Sequence, residues 1–152
     1  MSNPALLADY LFLGPLIEER LRATLDAGVP VEGIEQMSQA NEAQDLRAVV
    51  VYVMWGGDRF DGGEAGRAGG GTSQRLKQRW LVLVRVRNAS AAVKDARNAA
   101  VGPLLSQVHK AVSGWEPEGA LMHKFVRAQG LAPDYKSTSA LYPLAFEINL
   151  AL

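Results

Sequence analysis

A chain of 152 residues is long enough for one domain that buries roughly 68–70% of the surface its unfolded form exposes, and with no cysteine it excludes disulfides and thiolate metal sites. Sixteen basic residues balance sixteen acidic ones, so bulk charge draws it neither to nucleic acid nor to a membrane surface. Met1-Ser2-Asn3-Pro4 carries no basic region ahead of its apolar stretch and no apolar run approaches the ~20 residues of a membrane span, so neither a secretion signal nor a transmembrane helix is expected.

Pro4, with Asn3 as its cap, opens an amphipathic stretch with Leu6, Tyr10, Leu13, Ile17, Leu21 and Leu25 at spacings of three and four. This predicts a helix over about 4–27, kinked at Gly14-Pro15 and stopped by Gly28 and Pro30. Val31 to Gln36 reads as an edge strand with Ile34 inward, and the polar 38–47 as a helical turn or loop. From Ala48 to Trp55 the residues are β-branched, aromatic or apolar on both alternating faces, which predicts a central strand.

Between Trp55 and Trp80 runs a glycine-broken segment holding eight of the fifteen glycines. A loop this long between strands is uncommon unless functional or disordered, and 56–74 is predicted to be a flexible inter-strand arm. A phosphate-cradle reading fails: Gly66 and Gly71 are five apart, but no lysine precedes Thr72 and no helix follows.

In the next strand, 75–87, Leu76, Trp80, Val82, Val84 and Val86 share one face, and Arg75, Lys77, Arg79, Arg85 and Arg87 share the other, interrupted by Leu81 and Leu83. Ala89 to Ser113 is a second predicted helix, capped by Asn88 or Ser90 and kinked or split at Gly102-Pro103. Strands are predicted at about 120–128 and 140–152, the last one-sided, with Tyr142, Leu144, Phe146, Ile148 and Leu150 alternating with Glu147 and Asn149. The element order implies an α+β fold: a mainly antiparallel four- to five-stranded sheet, two kinked helices packed on one face and a long glycine-rich hairpin arm, all in a single domain spanning 1–152.

Two helices cover one face of such a sheet. The other face is expected to expose the apolar second side of strand 49–55 with Leu81 and Leu83, unless the arm or the 129–139 loop folds over it; an exposed patch of that kind marks an interface. Trp55, Arg59, Phe60, Arg67, Trp80, Leu81 and Leu83 are therefore the candidate subunit or partner interface. No catalytic, cofactor-binding or metal site is predicted, because His109 and His123 lack ligand-spaced neighbours and no Gly-x-Ser-x-Gly elbow is present.

The first helix ending in Ala27-Gly28-Val29-Pro30, the strands Ala48-Val49-Val50-Val51-Tyr52-Val53 and Arg79-Trp80-Leu81-Val82-Leu83-Val84-Arg85-Val86, the helix beginning near Ala91-Ala92-Val93 and the closing Pro143-Leu144-Ala145-Phe146-Glu147-Ile148 together resemble the tail terminator, or tail completion, proteins of long-tailed bacteriophages, in the form found in Mu-like phages. The resemblance implies a homohexameric ring, without enzyme activity or cofactor, at the neck end of the virion tail and assembled in the host cytoplasm. The ring caps the tail tube, ends tube polymerisation and presents a joining surface to the head-side connector. The implied partners are other copies of the chain, the tail tube protein, the connector and passing genomic DNA, with no membrane. Arg75, Lys77 and Arg79 are then candidates to face the lumen and its DNA. Competing readings are another neck component, such as a connector or stopper, and a small DNA-binding protein that uses the basic stripe and the glycine arm.

Overall fold

The computed structural model describes residues 3–40, 45–61, 75–87, 94–136 and 138–151. Arg67, most of the predicted arm and the predicted caps Asn88 and Ser90 lie outside the described residues.

The first predicted helix is two helices, α1 (Pro4–Ala8) and α2 (Leu13–Thr24). Asn3 caps α1, its side chain accepting from the Leu6 amide at 3.1 Å, and Pro4 occupies the first turn, where no amide partner is lost. The break falls at Asp9, before Gly14-Pro15. The Asp9 backbone is extended and its carboxylate accepts from the Leu11 amide at 3.0 Å, a local bond that competes with helix continuation. Pro15 sits in the first turn of α2, where its missing donor costs nothing. Gly14 has a packing reason instead: a Cβ there would lie 3.0 Å from Cη2 of Trp80, so glycine lets α2 close onto that ring.

The sheet is mixed and six-stranded: β1 (Val31–Gly33), β2 (Val49–Asp61), β3 (Arg75–Arg87), β4 (Val126–Ala128), β5 (Asp134–Tyr135) and β6 (Ser139–Ala151). Its order is β1-β2-β3-β6-β4, with β5 also on β6, and every pairing is antiparallel except that of β1 with β2. Three strands reach 13 residues, or roughly 40 Å. β2 continues well past the predicted end at Trp55, so residues 56–61 belong to the sheet and only the remainder of the expected arm connects β2 to β3. The predicted strand over 120–128 shrinks to β4, because 119–122 turns, and β5 falls in the expected 129–139 loop.

The predicted second helix is α4 (Lys94–Val112), one helix with Pro103 inside it rather than a split pair. A short α3 (Met37–Ala40) completes four helices among the described residues. Leu6, Leu13, Ile17 and Leu21 from α1 and α2, with Leu104 and Val108 from α4, bury one sheet face under Val53, Trp80, Val82 and Phe146. The other face holds a second cluster of Val50, Tyr52, Met54, Leu81, Leu83, Leu141 and Ala145, against which Ala40, Ile34, Met37 and Ala128 pack. The two predicted helices share one face as expected, α3 packs on the other, and one expectation is corrected: β6 is one-sided only beyond Ala145, because Leu141 and Ala145 are buried on its second side.

Candidate assembly surface

Between Trp55 and Asp58 the β2–β3 ladder shifts register, Trp55 facing Trp80 and Asp58 facing Gln78, so β2 spends one extra residue there. Gly57 takes φ +93° in this bulge, a conformation that disfavours a side chain. The extra residue changes which positions of β2 face the helices, from Val53 and Trp55 to Asp58 and Phe60, and turns Arg59 to the opposite face beside Lys77.

On the helix side, the Tyr10 and Trp55 rings meet edge to face at 6.1 Å and the Tyr10 hydroxyl donates to the Asp58 carboxylate. Burial, with that carboxylate, pushes the Tyr10 phenol up to about 12. The backbone oxygen of Tyr10 accepts from Gln78 Nε2 at 2.7 Å, and Gln78 Oε1 accepts from Trp80 Nε1 at 2.9 Å. This fully buried glutamine satisfies the Trp80 indole and pins the α1–α2 turn to the sheet. Its signal was present in the sequence as a lone polar residue at an even position of an apolar row. Phe60, 53% exposed, extends the same face beyond the helices, and Trp55 is 39% exposed.

On the opposite face the predicted basic stripe divides. Arg75 is exposed, Lys77 and Arg79 are half-buried, and register places Arg59 beside them. Arg59 pairs with Glu147 at 3.7 Å, and Arg79 donates to the Gln129 carbonyl at 2.8 Å. Arg127, in register with Phe146 and with its guanidinium 5.7 Å from that ring's centroid, reaches round the β4 edge to donate to the Ala145 carbonyl at 2.9 Å; burial and then the nearby Arg79 charge lower its guanidinium pKa. Arg85 is no part of a solvated stripe. It is 1% exposed, donates to the Asp45 carbonyl at 2.7 Å and faces the Asp45 carboxylate at 3.6 Å.

Asp45 is the hub of this second cluster. Its carboxylate accepts from Arg47 at 2.7 Å and from the Tyr52 hydroxyl at 3.1 Å, its carbonyl also accepts from Arg87 at 3.1 Å, and Arg47 reaches on to Glu32. The Arg47 bond holds the Asp45 carboxyl well below the usual carboxylate range, and Asp45 with Glu32 raises Arg47 above its ordinary value. Burial, then Asp45, raises the Tyr52 phenol.

Of the candidate interface residues, then, Trp55, Arg59 and Phe60 reach solvent, whereas Trp80, Leu81 and Leu83 are at most 4% exposed within the chain itself. The expected bare apolar face is corrected: α3, Ile34 and Ala128 cover it.

Two of the apolar features that reach solvent lie at opposite edges of the sheet. Where β1 ends, a groove of about 690 Å³ opens beside β2, lined by Leu11, Pro15, Ile34 and Trp55 with the carboxylates of Glu18 and Glu35. At the other edge, Leu121, Met122 and Val126 are 54, 84 and 56% exposed around β4. Neither feature has the donor set of a metal site, and no group of three His, Asp or Glu that could hold a metal ion occurs among the described residues. His109 lies on α4 against Phe146, ring centroids 6.4 Å apart, and His123 is exposed in a turn rather than on a strand.

A sequence model of the family described as "Phage tail terminator protein" matches residues 7–152 of this chain, every element from α2 to β6. The chain belongs to the phage tail terminator family. A chain in a solved structure, "Virion of native gene transfer agent (GTA) particle", is similar at 18% identity, with 92% of this chain and 95% of that one covered and a TM-score of 0.48. No curated protein matches in sequence. Tail terminators are structural virion proteins and not enzymes, and membership gives this terminator a tail-completion role in the virion tail, among tail and head-side components. Trp55, Phe60 and the β4 edge are among the exposed apolar regions of this terminator.

Proposed function

We propose that the chain, as one domain over residues 1–152, forms a homohexameric ring that caps the tail tube, ends its polymerisation and offers a joining surface to the head-side connector. Family membership over residues 7–152 carries this reading. The ring sits at the neck end of the tail, and assembles in the host cytoplasm. Trp55, Arg59 and Phe60, with Arg67 on the connecting segment, meet a neighbouring subunit or the tube, while Arg75, Lys77 and Arg79 face the lumen and any DNA that passes. The split basic stripe supports that division: four cations gather where the sheet face is polar, and phosphate contact needs lysine and arginine rather than an apolar platform.

Deleting the gene and imaging the lysate tests the reading. Overlong tubes restored to normal length by the wild-type chain are the expected result. Tails of normal length that fail to join heads would sink tube capping and make the chain a connector or stopper.

A further inference from the structure

The two exposed apolar edges have complementary chemistry. On one side, β1 pairs only with Val51–Val53, so from Met54 to Asp61 β2 has β3 on one flank and, among the described residues, no strand on the other. An unpaired strand edge presents a row of backbone donors and acceptors and accepts another strand readily. The groove beside it is apolar at Leu11, Ile34 and Trp55 and acidic at Glu18 and Glu35.

On the other side, β4 ends the sheet order with no strand on its outer flank among the described residues, beyond the point where Phe125 bonds to Gly114 and Trp115; Val126 makes this edge apolar, and Lys124, just before it, and Arg127 make it basic, all three exposed. The preceding turn adds Leu121 and Met122, which hold φ of +54° and +71°. Left-handed backbone at two consecutive residues with side chains is strained, and such strain gathers where a segment is held for a purpose. Here it projects two large apolar side chains into solvent.

A ring of identical subunits needs two different surfaces that fit each other, since a head-to-tail contact closes a cycle. Resting on the ring reading above, we infer that the β4 edge of one copy docks along the open β2 edge of the next, Met122 and Val126 entering the groove and Lys124 approaching Glu35, while Glu18 keeps its bridge to Arg22 at 3.2 Å and Arg127 its bond to the Ala145 carbonyl. Charge complementarity selects a second copy as the occupant: the groove is acidic and the opposite edge of the same chain is basic. The contact would also extend the sheet from subunit to subunit.

The cysteine-free chain makes the test clean. Glu35→Cys combined with Lys124→Cys, oxidised in the assembled state, is expected to give a ladder of covalent multimers that neither single variant gives. Both positions are exposed, so the fold does not depend on them. Glu35→Lys is expected to weaken association roughly tenfold or more through like-charge contact, and adding Lys124→Glu to restore it, as read by native mass spectrometry. Wild-type assembly without a ladder, and with association unchanged by Glu35→Lys, overturns this edge pairing and leaves the ring reading standing. A disulfide dimer from one single variant alone, which requires a symmetric contact, overturns it as well. A wild-type chain that stays monomeric both alone and on tail tubes removes the edge pairing and the ring together.

Discussion

On the sheet face turned away from α1, α2 and α4, β3 runs without a break from an apolar end to a basic end, yet the two ends have opposite fates. At one end Leu81, Leu83 and Arg85 are buried beneath α3, Ile34 and the Asp45 hub; at the other Arg75 is exposed, and Lys77 and Arg79 are half-buried beside Arg59. Alternation along β3 is the same throughout. What differs is whether another part of the chain supplies a cover, and an arginine under that cover requires a carboxylate, whereas an arginine without it needs only water.

The largest break in this contrast is expected from Asp45→Ala. Removing the carboxylate takes one counter-charge from the buried Arg85 and the acceptor from Arg47 and Tyr52, and should cost roughly 3 kcal/mol, read as a lower urea midpoint at unchanged slope. Acid should have the same effect more gradually. Because the Asp45 carboxyl titrates lower in the folded state than in the unfolded chain, its contribution is fully present above the unfolded value of about 4 and is lost as pH falls below it. Asp45→Asn should flatten that acid limb in a pH series of thermal melts, and an unaltered limb would show that the hub does not govern it.

Close behind, Leu83→Ala should cost about 3 kcal/mol through the cavity it leaves in the second cluster, measured by the same urea unfolding. A loss under about 0.5 kcal/mol would mean that the cover is loose and that this face is free to meet another subunit after all. The smallest effect belongs to the basic end. Arg75→Ala should change stability by less than about 0.5 kcal/mol while lowering the salt dependence of duplex binding by about one unit of slope, and a variant that binds DNA as wild type does would take Arg75 off the lumen.

Much of this was legible in sequence because it is local. Asn3-Pro4 fixed a helix start, the β-branched run fixed β2, and period-two alternation placed Trp80, Val82 and Val84 together in the main core. The errors lie where distant partners decide. Asp45, in a polar stretch read as turn or loop, gives no local sign that it will bury Arg85, so Arg85 and Arg87 looked like a solvated row. The glycines at 56 and 57 looked like the beginning of an arm, since a bulge and a loop draw on the same residue, and only the β3 register tells them apart. Gly14-Pro15 suggested a kink because the close approach of Trp80, 66 positions later in the chain (80 − 14), has no local signature. For the candidate surface, Trp55 and Phe60 reach solvent as interface residues must, but burial of Leu81 and Leu83 depends on α3 and Ile34, distant in sequence, packing on the second face.

The position of β6 has a kinetic consequence. It is the last strand in chain order, yet it pairs with β3 over the whole length of both, from Arg87 opposite Ser139 to Arg75 opposite Ala151, and it also anchors β4 and β5. Every one of the β3–β6 contacts closes a loop that contains α4, so the entropic cost of closure comes before the reward of pairing. While the chain is being synthesised, β2 and β3 can zip as a hairpin, but the flank of β3 that faces β6 stays open until the final segment emerges. During that interval β3 presents an unpaired flank, and its pairing with β6 is expected to follow formation of the β2–β3 hairpin.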